Sequence, residues 1–287
     1  MGITQHRNSV ATIHDIVNVL LLGGHFGRKG AGACPVRGHS NVQGDRTVGI
    51  NHHPSESFLA ALDGATGIES PRDRGVDSVQ LIQRSLEGEC DILLCLGGNL
   101  LSAMSDTEVT AQALSRIGLT VQISTKLNRS HVVTGKEALI LPCLGRTEED
   151  IGLTGNRFVT VENSMGVVHT SRGTMKPASN QLMSEPDIVA RIGDTLFGSS
   201  PIQWSHLSED YDRIRSLIQD VIPGFDDYNA RVRQEGGFYL PNGPRDGPIW
   251  NTPDRKAVMH SHPLDSFEVD DGYTMMTIRS HDQYNTT

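Results

Sequence analysis

The run Asp91 to Leu96 (DILLCL) halts at Gly97-Gly98-Asn99, and no other stretch restricts the fold as tightly. A short, continuously apolar segment bounded by glycines reads as a strand buried on both faces of a parallel sheet. Asp106 then occupies an N-cap position for a helix over 107–117, and Gly118 stops it. LTVQIS (119–124) and Ala138–Leu141 supply two further strands. Strand, helix and strand in this order form a right-handed βαβ unit, whose ligands sit at the carboxyl ends of the strands. The expected class is α/β: a parallel-sheet, Rossmann-like domain with helices on both faces.

Other elements follow from spacing and punctuation. Val10, Ile13, Val17, Leu20 and Leu21 recur at helical intervals, so a helix is expected from Ser9 to Leu22, closed at Gly23-Gly24. After a polar, Pro-containing passage, DSVQLIQRSLE (77–87) reads as a helix closed by Gly88. FVTVEN and GVVHTS (158–163 and 166–171) read as a hairpin, and Ser184-Glu185-Pro186-Asp187 opens a helix that ends near residue 197. Ser208 to Ile222 reads as one amphipathic helix. Gly, Pro, Asn and Asp then dominate to about residue 254, which reads as a connector, and YTMMTIRS (273–280) reads as a strand beginning a new domain.

Charge narrows the function classes. The 287 residues carry 25 Lys and Arg against 34 Asp and Glu, a net charge of −9. This balance argues against broad electrostatic binding of nucleic acid or of an anionic membrane. No apolar run of about 18 residues is present and MGITQHRNSV lacks the apolar core of a signal peptide, so a cytoplasmic protein is expected. Cys34, Cys90, Cys95 and Cys143 form no CxxC and have no zinc-like His spacing, so they are expected to be reduced, buried thiols, with Cys34 set apart by its Gly-rich surroundings.

That Gly-rich segment, GGHFGRKGAGACPVRGHSNVQGD, holds seven glycines before Asp45. Long Gly-rich loops inside compact domains are usually functional. The spacing Gly24-x-x-Gly27-x-x-Gly30-x-Gly32 superficially matches a dinucleotide fingerprint, but that motif needs a strand before it and a helix after it, and here a helix precedes and a loop follows. Arg37 to Gly44 (RGHSNVQG) is more informative. It gathers a guanidinium, an imidazole, two amides and a hydroxyl between glycines that permit close backbone approach to a ligand, although a solvated surface loop can share this composition.

At this point the segment resembles the molybdopterin oxidoreductases, in particular the formate-dehydrogenase-like branch, which carries a helix, a Gly-rich turn and then Pro-x-Arg-Gly-x-x-Asn-x-Gln-Gly. DILLCLGGN is similar to that family's strand and turn against one pterin guanine dinucleotide. LTVQISTKLNRSHVVTGKEALILPC is similar to its next strand, recognition loop and "ILP" strand. TEEDIGLTGNRFVTVENSMGVVHTSRG resembles its marker hairpin, and IRSHDQYNT the opening of its C-terminal cap domain.

The resemblance implies a bis(molybdopterin guanine dinucleotide) cofactor with molybdenum. Gly97, Gly98, Asn99, Ser124, Thr125, Asn128 and Arg129 are then expected at one guanine dinucleotide, and Arg279 and Asn285 as contacts from the cap. Arg37 is implied beside the metal, orienting a small oxyanionic substrate, with His39 as a second catalytic candidate. Relatives place Gln where His39 stands, and many have Gly-Glu-Asp where this chain has Gly97-Gly98-Asn99. The metal ligand and the segment for a 4Fe-4S cluster would lie upstream of this sequence, so the chain is expected to be an internal portion of a longer one, inactive alone. On this reading residues 1–45 are a helix and Gly-rich loop from a preceding α/β domain, 46–200 the cofactor-binding α/β domain, 201–260 a helix and connector, and 261–287 the truncated start of a β-rich cap domain. A small-molecule substrate, an unspecified redox partner and self-association through surfaces left by absent domains follow from it. The rival reading is a stand-alone α/β nucleotide-binding or regulatory module without catalysis.

Overall fold

A computed structural model describes residues 2–36, 41–264 and 272–273. Arg37, His39, Arg279, Asn285 and the strand expected over 274–280 lie outside the described residues. In chain order the elements are α1 (Ser9–Leu22), α2 (Val42–Thr47), α3 (Glu56–Thr66), α4 (Ser78–Glu87), β1 (Ile92–Leu96), α5 (Leu100–Ala103), α6 (Thr107–Arg116), β2 (Leu119–Ser124) and β3 (Glu137–Pro142). Then come the two-residue strands β4 (Ile151–Gly152) and β5 (Gly155–Asn156), β6 (Val159–Glu162), β7 (Val167–Ser171), α7 (Glu185–Leu196), α8 (Trp204–Glu209), α9 (Tyr211–Val221), α10 (Tyr228–Arg231), β8 (Phe238–Tyr239) and α11 (Gly243–Asp246). They fall into two compact units interleaved along the chain. One takes its described residues from 1–47, 161–169 and 231–278, the other from 48–160 and 170–230.

The second unit is the α/β one. Its sheet has the order β1-β2-β3 and is parallel throughout, with Leu96 opposite Ile123 and Ile123 opposite Leu141. Leu101, Leu114 and Ile117 pack with Leu93 in one apolar cluster, and Ile123, Cys143 and Ile188 pack with Leu141 and Ile192 in another. Thus α6 and α7 contribute to separate cores beside the strands. β1 departs from the expectation of burial on both faces, because Ile92 is 65% and Leu94 45% exposed. β1 is an edge strand of the sheet. With Leu139 and the α7 residues Ile192 and Leu196, its side chains line an apolar groove of about 390 Å³.

Helix ends follow their capping chemistry. Asp77 and Gln80 close a reciprocal capping box on α4, the Asp106 side chain accepts the Val109 N–H at 3.0 Å, and Ser184 caps α7 through the Asp187 N–H at 3.3 Å. Two sequence expectations need correction. The polar passage before α4 contains a helix, α3, capped by Ser55 and stopped by Gly67 at φ 69°. The single helix expected over 208–222 is broken at Asp210, whose backbone is extended and whose side chain accepts the Asp212 N–H at 3.0 Å, so it starts a second helix.

A buried ionic knot braces this unit. The Arg157 side chain, 6% exposed, binds the carboxylates of Asp150 and Asp187 and donates to the Ser208 carbonyl at 2.6 Å. Tyr211 donates its hydroxyl to Asp150 at 2.6 Å, and its ring stacks beneath the guanidinium. Burial disfavours the charge on Asp187, but hydrogen bonds and attraction from Arg157 outweigh this and hold its carboxyl below the usual range. Burial also pushes the Cys143 thiol up to about 11, with Glu185 and Glu148 adding to the effect.

In the other unit β7 pairs antiparallel with β8, Val167 opposite Tyr239 and Val168 opposite Phe238. Gly237, at φ 71°, brings the chain so close that a Cβ would stand 2.0 Å from the Val168 carbonyl oxygen. Arg245 lies over the Tyr239 ring and donates to the carbonyls of Leu240 at 2.6 Å and Met165 at 3.3 Å. The thiols are free but not uniformly buried as expected: Cys34 is exposed, Cys90 and Cys95 are half-buried, and Cys143 is buried.

Candidate functional site

The parallel register places the turn after β1 beside the loop after β2, and the residues expected at a nucleotide meet there. Gly97 and Gly98 adopt φ of 69° and 82°, a conformation that L side chains rarely take. The Gly97 N–H donates to the Ile123 carbonyl at 2.8 Å, which pins the turn to the end of β2. From the other side, Asn128 Nδ2 donates to the Gly98 carbonyl at 2.8 Å.

Ser130 ties the two loops together. Its hydroxyl accepts the Leu101 N–H at 3.0 Å and donates to Asn99 Oδ1 at 2.9 Å. Its own N–H is taken by Asn128 Oδ1 at 2.9 Å, and its carbonyl accepts from Gln122 Nε2 at 2.7 Å. Two consequences follow for the amides. Asn128 is occupied at both ends and braces the loops. Asn99 has its oxygen engaged inward, so Nδ2 is the end left to donate to a ligand.

The rest of the loop divides in the same way. Ser124 Oγ donates to the Lys126 carbonyl at 2.8 Å and shapes the turn. Thr125, Lys126 and Arg129 are exposed. The Asn128 N–H lies 3.0 Å from His131 Nδ1, and the same nitrogen lies 3.1 Å from Asn128 Oδ1. His131 Nε2 is buried and has no partner among the described residues. A bound group or a water molecule would satisfy it.

In chemical terms the strand ends present an open turn of small residues, an amide donor on Asn99, a hydroxyl on Thr125 and two cations on Lys126 and Arg129. This set suits phosphate and polar oxygens. Among the described residues, no group of three or more His, Cys, Asp or Glu side chains is arranged to hold a metal ion. Nor does any helix among them have the length and apolarity to cross a membrane.

No family model matches the chain. It is 51% identical over 289 residues to the uncharacterized oxidoreductase Rv2900c of Mycobacterium tuberculosis, taking in 100% of this chain and 37% of that protein. It is 45% identical over 293 residues to protein YdeP of Escherichia coli K12, taking in 100% of the chain and 38% of YdeP. The chain is related to oxidoreductases. A more distant relative, at 25% identity over 225 residues, is the putative formate dehydrogenase YrhE of Bacillus subtilis, where 76% of this chain aligns with 22% of that one. The chain thus spans 37–38% of the length of its oxidoreductase and YdeP relatives.

Four residues of the site escaped the sequence reading: Gln122, Lys126, Ser130 and His131. Gln122 carried a readable sign, since a carboxamide within the apolar strand LTVQIS must find a partner once buried. Ser130 and His131 gave none, because their roles depend on residues about 30 positions earlier or on the local turn.

Proposed function

We propose that the chain is part of a molybdopterin-dependent, formate-dehydrogenase-like oxidoreductase acting on a small substrate, and that the paired loops after β1 and β2 hold one guanine dinucleotide of a bis(molybdopterin guanine dinucleotide) cofactor. The observation that carries this reading is the meeting of Gly97-Gly98-Asn99 with 124–131 at the ends of adjacent parallel strands. The residues fit such a group: a Cβ added at Gly97 or Gly98 would meet no atom within 4 Å, so the turn faces open space. Backbone at Gly98 and the Asn99 amide would donate to phosphate or ribose oxygens, and Lys126 and Arg129 would neutralise phosphate charge. When bound, the molybdenum centre supplies two-electron redox chemistry, with electrons passing to a 4Fe-4S cluster and a redox partner beyond this chain. Arg37 is assigned to orienting the substrate through a fixed cation, His39 to accepting a proton, and Arg279 and Asn285 to contacts with the cofactor. A cytoplasmic location belongs to the same proposal.

GDP, which carries the guanosine and phosphates of the dinucleotide, is the direct probe. Isothermal titration should show GDP binding to the purified chain, and Arg129→Ala should weaken it about tenfold, the loss of roughly one charge-assisted hydrogen bond. Failure of GDP to bind, or equal affinity in Arg129→Ala, would overturn the cradle.

A further inference from the structure

The motif Arg37–Gly44 drew attention as a set of ligand-binding side chains, yet its second half is engaged elsewhere in the fold. Gln43 Nε2 donates to Glu162 Oε1 at 3.1 Å and to the Asn163 carbonyl. One turn later on α2, Thr47 Oγ1 donates to Glu162 Oε2 at 2.7 Å. The Glu162 N–H donates to Asn41 Oδ1 at 3.0 Å, while the Asn41 carbonyl accepts the Asp45 N–H at 3.0 Å and so opens α2. Gly44 completes the fit: a Cβ there would lie 2.4 Å from Asn41 Oδ1 and 3.2 Å from Glu162 Cβ.

We infer that Glu162, 115 residues beyond Thr47, is a positioning residue that clamps α2, the helix that begins within the Arg37–Gly44 motif. Both carboxylate oxygens of one residue are committed to a single six-residue helix, and its backbone N–H to the residue just before it; a helix this short does not hold itself together. Asn41, Gln43 and Gly44 are thus docking residues, and the substrate-facing part of the motif narrows to Arg37 and His39. The inference deepens the proposed function at this last step, where it rests on the reading that Arg37 acts on substrate. The clamp itself does not depend on that reading.

Hydrogen exchange of the purified chain, followed by mass spectrometry, tests the clamp. In Glu162→Ala, exchange in the peptide covering 41–47 should accelerate at least tenfold, with peptides from β1–β3 unchanged. Gly44→Ala should reproduce this, since its methyl group collides with the same docking contact. Glu162→Gln should restore protection, because its oxygen still accepts from Gln43 and its amide can donate to the Thr47 hydroxyl. Unchanged exchange in Glu162→Ala overturns the clamp. So does acceleration spread equally over β1–β3, which marks general loss of structure, or a Glu162→Gln variant as unprotected as the alanine. Formate-dependent dye reduction by enzyme loaded with cofactor addresses Arg37 separately: an inactive wild type together with the localized exchange result would refute the formate reading and leave the clamp standing.

Discussion

Replacing Ser130 with Ala removes a hydroxyl that joins a buried amide to the Asn99 side chain. The Leu101 N–H is left without its acceptor at a place where Leu101 is 4% and Ser130 5% exposed, so water cannot readily substitute. An unsatisfied buried donor costs about 1–3 kcal/mol, and the lost bond to Asn99 adds about 0.5–1.5 kcal/mol, giving roughly 2–4 kcal/mol in all. With a urea dependence of about 3 kcal/mol per molar, the unfolding midpoint should fall by roughly 1 M. Asn99→Ala provides the control, because it removes only the outer bond and leaves the Leu101 amide paired. Its cost should stay below about 1.5 kcal/mol. Urea titrations followed by far-UV circular dichroism would compare the three proteins. A Ser130→Ala shift no larger than that of Asn99→Ala would refute the argument, since it would mean that the buried amide is not what Ser130 serves.

Two further outcomes follow from the ionised groups. Asp187, its pKa depressed by Arg157, contributes stability that is fully present above the unfolded value near 3.8 and is lost as pH falls through the lower folded value. Arg157→Met leaves Asp150 and Asp187 without their cation, so it should cost about 3–5 kcal/mol and move the acid transition to higher pH. An acid titration with the same midpoint as wild type would contradict this. For the thiols, a Cys143 pKa of about 11 leaves about a thousandth of it ionised at pH 8, so Ellman's reagent should modify exposed Cys34 first and Cys143 last in folded protein. Rapid reaction at Cys143, located by peptide mapping, would show that its burial is overstated.

Much of the α/β unit was legible because local rules and tertiary packing agree there. α6, β2 and α7 begin where periodicity and caps place them: Asp106 and Ser184 each accept the N–H that their position predicts, and β1 ends in its glycines. Where local and distant demands diverge, the sequence was silent. α3 was hidden by the Pro and Gly around it, although Ser55 and Gly67 bracket Leu59 as cap and stop. The interruption at Asp210 could not be seen in an amphipathic pattern that continues through it. At the site, small and polar residues could be assigned to the strand ends. Which amide faces a ligand and which braces a loop depends on Ser130 and Gly98, and no spacing rule contains that information. The same holds for Asn41 and Gln43, whose partner Glu162 lies on a hairpin strand far along the chain.

The open apolar wall of β1 has a calorimetric consequence. Ile92, Leu94 and Leu139 already contact water in the folded chain, at 65%, 45% and 50% exposure, so unfolding adds little new hydration around them. The heat-capacity increment of unfolding comes mainly from such newly wetted apolar surface, at about 12–15 cal/mol/K per residue in ordinary domains. Each of these three side chains therefore supplies only about half of the increment that full burial would give. Any polypeptide that covers the wall would restore the missing increment, binding with a negative heat-capacity change whose size measures how much of the groove it has dried.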